Sequence, residues 1–105
     1  MYPDSPMTDP VPVQHDPDRQ RLSLRVESHE AELTYHLLEA GTAVPVMVID
    51  HTGVPEAIGG RGLAGRLVEA AFELARSRGW KVLPACSYAR VWATRHPAVS
   101  DLLAG

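Results

Sequence analysis

The 105-residue chain has one cysteine, Cys86, so it can form no disulfide within itself. That suits a reducing compartment. No apolar run comes near the roughly 20 residues that a membrane span requires. The first residues are rich in proline and aspartate, where a secretory leader would carry basic and then apolar side chains. A soluble, cytoplasmic protein is expected. The chain also lacks a surplus of positive charge. Its net charge is -3 and its pI about 5.9, which argues against electrostatically driven nucleic-acid binding. No two histidines stand at metal-binding spacing and no second cysteine neighbours Cys86, so no metal centre is expected. There is no internal repeat. A chain of this length holds one core and cannot also enclose a large substrate cavity. A sizeable ligand should therefore lie in a surface groove.

Residues 1–18 contain five of the nine prolines (Pro3, Pro6, Pro10, Pro12 and Pro17) together with Asp4, Asp9, Asp16 and Asp18. With few apolar groups and missing backbone donors, this stretch reads as a mobile tail ahead of a domain spanning 19–105. Alternation starts at Arg21. Leu22, Leu24 and Val26 alternate with polar residues; after a break at Ser28-His29-Glu30, Ala31, Leu33, Tyr35 and Leu37 do the same. Two such runs read as an antiparallel hairpin. Gly41 marks a turn. Ala43 to Ile49 is almost wholly apolar, which predicts a strand covered on both faces, with Pro45 near its start. Asp50 to Gly62 reads as a loop. From Leu63 the spacing becomes three-and-four: Leu63, Ala64, Leu67, Val68, Ala71, Leu74 and Ala75 form a helix face. Glu73 and Arg76 are placed to pair on the opposite face, and Gly79 stands where a left-handed stop is wanted. Trp80 to Ala85 predicts a short strand. A second helix is expected from Ser87 to Arg95, closed by Pro97, and Leu102 and Leu103 could pack a last turn. The order is strand, strand, strand, glycine loop, helix, strand, helix: one small α/β domain.

Gly59, Gly60, Gly62 and Gly65 cluster where an apolar strand gives way to an amphipathic helix. The first turn of a helix leaves amide hydrogens unpaired and carries positive partial charge, so a glycine-rich approach to it makes an anion site suited to phosphate. Arg61 and Arg66 could add charge-assisted contacts. A plain flexible turn would show the same glycines. Gly60, Gly62 and Gly65 also match the dinucleotide pattern G-x-G-x-x-G. About 20 residues on, however, where an acid should meet the ribose, stands Lys81-Val82-Leu83. Too little chain follows for a doubly wound sheet.

The run His51-Thr52-Gly53-Val54-Pro55-Glu56-Ala57-Ile58-Gly59-Gly60-Arg61-Gly62-Leu63-Ala64 resembles the acetyl-coenzyme A segment of the GCN5-related N-acetyltransferases, and within them a short, single-domain branch. Val82-Leu83-Pro84-Ala85-Cys86-Ser87-Tyr88, followed by Arg95-His96-Pro97, is similar to the same branch. The likeness spans about Arg21 to Leu103. The family's loop is usually Arg/Gln-x-x-Gly-x-Gly/Ala. Gly62 and Ala64 match its last two fixed positions, whereas Gly59 stands where the Arg or Gln belongs. Gly53 occupies a position that often carries glutamate in the short branch. The resemblance implies an α+β fold with two main helices and a mostly antiparallel sheet whose strands splay open beside the loop. It implies that Gly59, Gly60, Arg61, Gly62, Leu63 and Ala64 hold the pyrophosphate of acetyl-coenzyme A and that the backbone near Val54 and Pro55 holds the pantetheine arm. It also implies acetyl transfer to an amine, and it places Cys86 near the thioester.

Cys86 is a candidate thiolate that accepts the acetyl group or lies against it; a small buried hydrophobe would fit the position as well. His51 is a candidate general base, or a residue that only caps or hydrogen-bonds locally. His96 suits a helix end. His29 and His36 look like hairpin surface and Tyr35 like core. Tyr88 and Trp92, four apart on the second helix, would cover the sheet edge or line the acyl end of the groove. A non-enzymatic module that holds coenzyme A and engages a protein is the alternative. The acceptor amine and the oligomeric state are not legible here.

Overall fold

The computed structural model describes residues 12–38 and 44–104. The alternation from Arg21 forms β2 (Arg21–Val26) and β3 (His29–Leu38). They pair antiparallel from Arg21↔Thr34 to Val26↔His29, so the turn sits at Glu27-Ser28 and His29 is already in the strand. Leu22 and Leu24 of β2, and Ala31, Leu33 and Tyr35 of β3, are buried on one face. The opposite face carries Arg21, Ser23, Glu30, Glu32 and Thr34. Arg21 bonds Glu32 at 2.7 Å and Glu30 at 2.8 Å, and its guanidinium holds the Glu30 carboxyl below its usual range.

The tail assignment is corrected over its last part. Gln14–Asp16 form β1, paired antiparallel with β2. Tyr35 supplies the reason: its buried hydroxyl needs a partner and meets the His15 ring at 2.6 Å, while Val13 packs against the core. Residues 1–11, the rest of that tail, lie outside the described residues, as do Gly41 and Ala43.

The apolar run forms β4, Val46–Gly53, so the expected loop begins later than Asp50. Met47, Val48 and Ile49 are all buried; Met47 and Ile49 join the core under the helices, whereas Val48 lies on the opposite face between His36 and Leu83. β4 pairs antiparallel with β3 and parallel with β5 (Lys81–Pro84). The sheet order is β1-β2-β3-β4-β5. A single 3-10 turn, Glu56–Ile58, leads to α1 (Leu63–Arg78). Leu67, Val68, Ala71, Phe72 and Ala75 bury the apolar stripe of α1 against the strands. Gly79 ends the helix in the left-handed conformation, and the expected α1 span holds. The second helix, α2, is Ser87–Thr94. His96 caps its end, with Nδ1 at 2.7 Å from the Trp92 carbonyl. Arg76 does not pair with Glu73. It bonds both oxygens of Asp101 at 3.1 Å and the Ala98 carbonyl, tying the closing 3-10 helix Pro97–Leu102 to α1. The two-point grip on Asp101 is what a forked guanidinium favours over a single contact on its own helix.

Both helices share one core with the inward residues of the sheet: Ala89 and Ala93 of α2 join Phe72, Met47, Ile49 and Val82. Among the described residues no helix covers the opposite face of the sheet.

Candidate functional site

Two features of the backbone meet at the carboxyl end of β4. The first is the glycine loop. Gly62 precedes α1 with φ 74° and ψ 17°, and no side chain caps the helix there. Gly60 is also left-handed, at φ 77°. Both conformations strain any residue with a Cβ, and at neither position would a Cβ meet an atom within 4 Å. The chain thus turns sharply into α1, with open space beside Gly60 and Gly62. Arg61 reaches back toward the β2–β3 turn, 3.7 Å from Glu27.

The second feature is a fork. β4 and β5 pair from Val46↔Lys81 to Ile49↔Pro84 and no further. The Ile49 carbonyl then accepts from two amides, Ala85 at 3.0 Å and Cys86 at 3.1 Å. Beyond it β5 turns into α2 while β4 runs on to Gly53. The pairing of β4 with β3 shifts by one at the same place: Tyr35 faces Ile49, but Thr34 faces His51. Asp50 is the extra residue, a β-bulge. Among the described residues no backbone bond joins Asp50–Gly53 to β5.

The bulge sorts side chains onto the two faces. Thr52 lies opposite Leu33, on the helix side, where its hydroxyl is 3.6 Å from the Cys86 sulfur. That sulfur also accepts from the Ala89 amide at 3.3 Å, so Cys86 is the N-cap of α2. Asp50 and His51 both reach the helix-free side. Asp50 Oδ2 is 2.8 Å from Nδ1 of His36 on β3. The His51 ring lies over Gly53, and a Cβ added there would stand 2.9 Å from Nε2. Gly53, Val54 and Pro55 border a hollow of about 430 Å³ whose far wall is Arg21, Glu30 and Glu32.

A model of the GCN5-related N-acetyltransferase family matches residues 21–102. The chain belongs to that family. Protein NATD1 of Mus musculus is 29% identical over 89 residues, covering 84% of this chain and 78% of that protein. The Gallus gallus protein of the same name is 28% identical over the same shares. The NMR structure of a GCN5-like protein from Staphylococcus aureus covers 90% of this chain and 89% of its own, with a TM-score of 0.68 at 24% identity. An aminoglycoside acetyltransferase from an uncultured soil sample has the same fold over a smaller part, with a TM-score of 0.54 at 19% identity and 76% of this chain covered. The fold is therefore the short, single-domain form of this family, a five-stranded, mostly antiparallel sheet with two main helices.

Within this GCN5-related domain the residues singled out by sequence fall into two groups. Gly59, Gly60, Arg61, Gly62, Leu63 and Ala64 form one continuous turn into α1, and Val54 and Pro55 link the end of β4 to the 3-10 turn before it. His51 and Cys86 lie on opposite faces at the fork. Tyr88 and Trp92 pack over the start of α1: a Cβ on Gly65 would stand 3.3 Å from the Tyr88 hydroxyl and 3.5 Å from Trp92 Nε1. Trp92 stacks between Phe72 and His96, so it is core at this edge, while Tyr88 is exposed. Sequence reasoning missed the His36–Asp50 pair. The two lie 14 positions apart, on neighbouring strands. Their one trace in the sequence is the consecutive polar pair Asp50-His51 at the end of an apolar run. Among the described residues no group of three metal-ligating side chains occurs, and no helix is long and apolar enough to cross a membrane.

Proposed function

We propose that the chain binds acetyl-coenzyme A across the fork between β4 and β5 and passes its acetyl group to a primary amine. The observation that carries this reading is the adjacency of the two backbone features: a helix start entered through left-handed glycines with no side-chain cap, and a strand edge with no partner among the described residues. Such a helix start fits a pyrophosphate, because amide donors and the positive end of the helix converge where Cβ atoms are absent. In this reading Leu63, Ala64 and Gly65 offer amides to the phosphates. Gly59, Gly60 and Gly62 let the backbone come close, and Arg61 exchanges the exposed Glu27 carboxylate for phosphate oxygen. Residues Asp50–Pro55 offer unpaired backbone groups to the amides of the pantetheine arm, in the manner of an added strand. Bound there, acetyl-coenzyme A supplies a thioester as acyl donor. Cys86 flanks the fork on the helix side and His51 on the open side. Cys86 already serves as a helix cap and its sulfur is engaged twice, which favours direct attack by the amine over a relay through the thiol.

Titration calorimetry with acetyl-coenzyme A tests the binding step. The expected affinity is micromolar, roughly -7 to -9 kcal/mol, and should weaken with added salt because phosphate contacts are largely electrostatic. A non-enzymatic module that only holds coenzyme A is favoured by one observation, the glycine at position 59 where the family's loop carries Arg or Gln. Thiol release in the presence of a panel of primary amines separates the two. Binding without release supports the module, and the absence of binding overturns both.

A further inference from the structure

The helix-free face of the sheet carries an acid–base pair at the rim of the fork. Asp50 is the bulge residue that follows Ile49, the last residue of β4 paired with β5. Its carboxylate is 2.8 Å from His36 Nδ1. A carboxylate only accepts, so Nδ1 carries the hydrogen and the lone pair lies on Nε2. Among the described residues Nε2 has no hydrogen-bond partner, and the side chain is half exposed. His36 lies opposite Val48, which in turn lies opposite Leu83 of β5. The ring therefore stands beside the last paired rows before β4 and β5 part. Cys86 approaches the same fork from the other face, through Thr52. Among the described residues, His51, Thr34 and Glu32 face the same open side.

We propose that His36, oriented by Asp50, is the general base that takes the proton from the acceptor amine, which enters from the helix-free face. This rests on acetyl-coenzyme A occupying the fork. A lysine-like amine is neutral in only roughly one molecule in 2,500 at pH 7, so a base at the entry is needed for attack at neutral pH. The nitrogen–carbon bond forms as the carbon–sulfur bond breaks. The ammonium gives one proton to His36 Nε2, the ring becoming an imidazolium that Asp50 stabilises, and the nitrogen releases its second proton to solvent as the amide forms. The sulfur leaves as coenzyme A thiol after gaining a proton from solvent. Asp50 plays the part of a positioning residue: it fixes the tautomer and the ring plane. Among the described residues His51 has no carboxylate partner, and its ring lies over Gly53, which leaves His36 as the better-defined base.

The experiment compares the full chain with His36→Gln, Asp50→Asn and His51→Gln in three measurements. Calorimetry with acetyl-coenzyme A should give the parent affinity for His36→Gln, because the pair lies outside the phosphate loop. Nitrogen NMR of the imidazoles should show His36 of the parent with its hydrogen on Nδ1, an assignment lost in Asp50→Asn. Thiol release with a panel of primary amines should fall about 100-fold or more in His36→Gln. Asp50→Asn should fall less. A His36→Gln variant as fast as the parent overturns the proposal, as does a loss confined to His51→Gln. So does a parent that binds acetyl-coenzyme A but releases no thiol with any amine, which leaves the binding site itself standing. A parent that fails to bind acetyl-coenzyme A removes the site and the base together.

Discussion

Replacing Gly62 by alanine separates the role of the loop in folding from its role in binding. Gly62 sits at φ 74° and its Cβ would meet nothing within 4 Å, so the substitution creates strain without collision. An L-residue in the left-handed region costs about 1–2 kcal/mol. Against a total stability of about 5–15 kcal/mol the domain stays folded, and its melting temperature should fall by roughly 4–16 °C at 4–8 °C per kcal/mol. Binding should suffer more. A methyl group in the space assigned to the phosphates removes at least one hydrogen bond to a charged group, about 1.5–3 kcal/mol, or roughly 10- to 150-fold in affinity at 1.4 kcal/mol per decade. Gly79 supplies the control. It ends the same helix at φ 73° with no atom within 4 Å. Gly79→Ala should therefore carry the same folding cost and no binding cost, since the 16-residue helix puts it about 24 Å away. Thermal melts and titration calorimetry on the two variants decide the matter. If Gly62→Ala is folded and binds acetyl-coenzyme A as tightly as Gly79→Ala, the helix start is not the phosphate site.

Three further outcomes follow from the packing and the titrating groups. Phe72→Ala opens the core between α1 and α2, where the ring stacks on Trp92, and should cost about 3–5 kcal/mol by chemical denaturation; a loss under about 1 kcal/mol would mean that the two helices do not share that core. Burial, and next the Arg78 charge, hold His15 below its usual value near 6.5. The unfolded chain then takes up this proton first, so stability should decline as pH falls below about 6.5, and His15→Ala should flatten that slope in melts between pH 5 and 7.5. Cys86→Ser should keep the melting temperature, since serine is a good N-cap. It should also abolish any slow acetyl adduct seen by intact-mass spectrometry of the parent, and an adduct that persists in the variant would place the acceptor elsewhere.

The hairpin, α1 and its stop at Gly79 were legible because each depends on a period of side chains that burial enforces locally. Leu22, Leu24, Ala31 and Leu33 alternate, and Leu67, Ala71 and Ala75 recur at helical spacing. The glycine loop was legible because its backbone angles demand one residue type. What escaped depends on contacts between distant positions. β1 forms because the buried Tyr35 hydroxyl meets His15 across 20 positions, a pairing that proline-rich composition hides. Arg76 looked paired to Glu73 within its own helix but is drawn to Asp101, 25 positions on. The carboxyl half of β4 read as loop because Asp50, His51 and Thr52 break the apolar run, although β3 continues to pair with it.

The bulge at Asp50 accounts for two properties of the site at once. In an unbroken strand successive side chains alternate, so Asp50 and His51 would face opposite sides, and one would enter the apolar layer beneath α1 and α2. The extra residue lets both face away from the helices and returns Thr52 to the core side next to Cys86. The same irregularity lies immediately after Ile49, the last residue of β4 whose carbonyl holds β5, so the strands part where the polar groups emerge. Without the bulge His51 would turn toward the helices, and a gap there would be lined on the helix-free side by one fewer polar residue. One inserted residue thus turns His51 to the helix-free side where β4 and β5 part, beside the imidazole–carboxylate pair of His36 and Asp50.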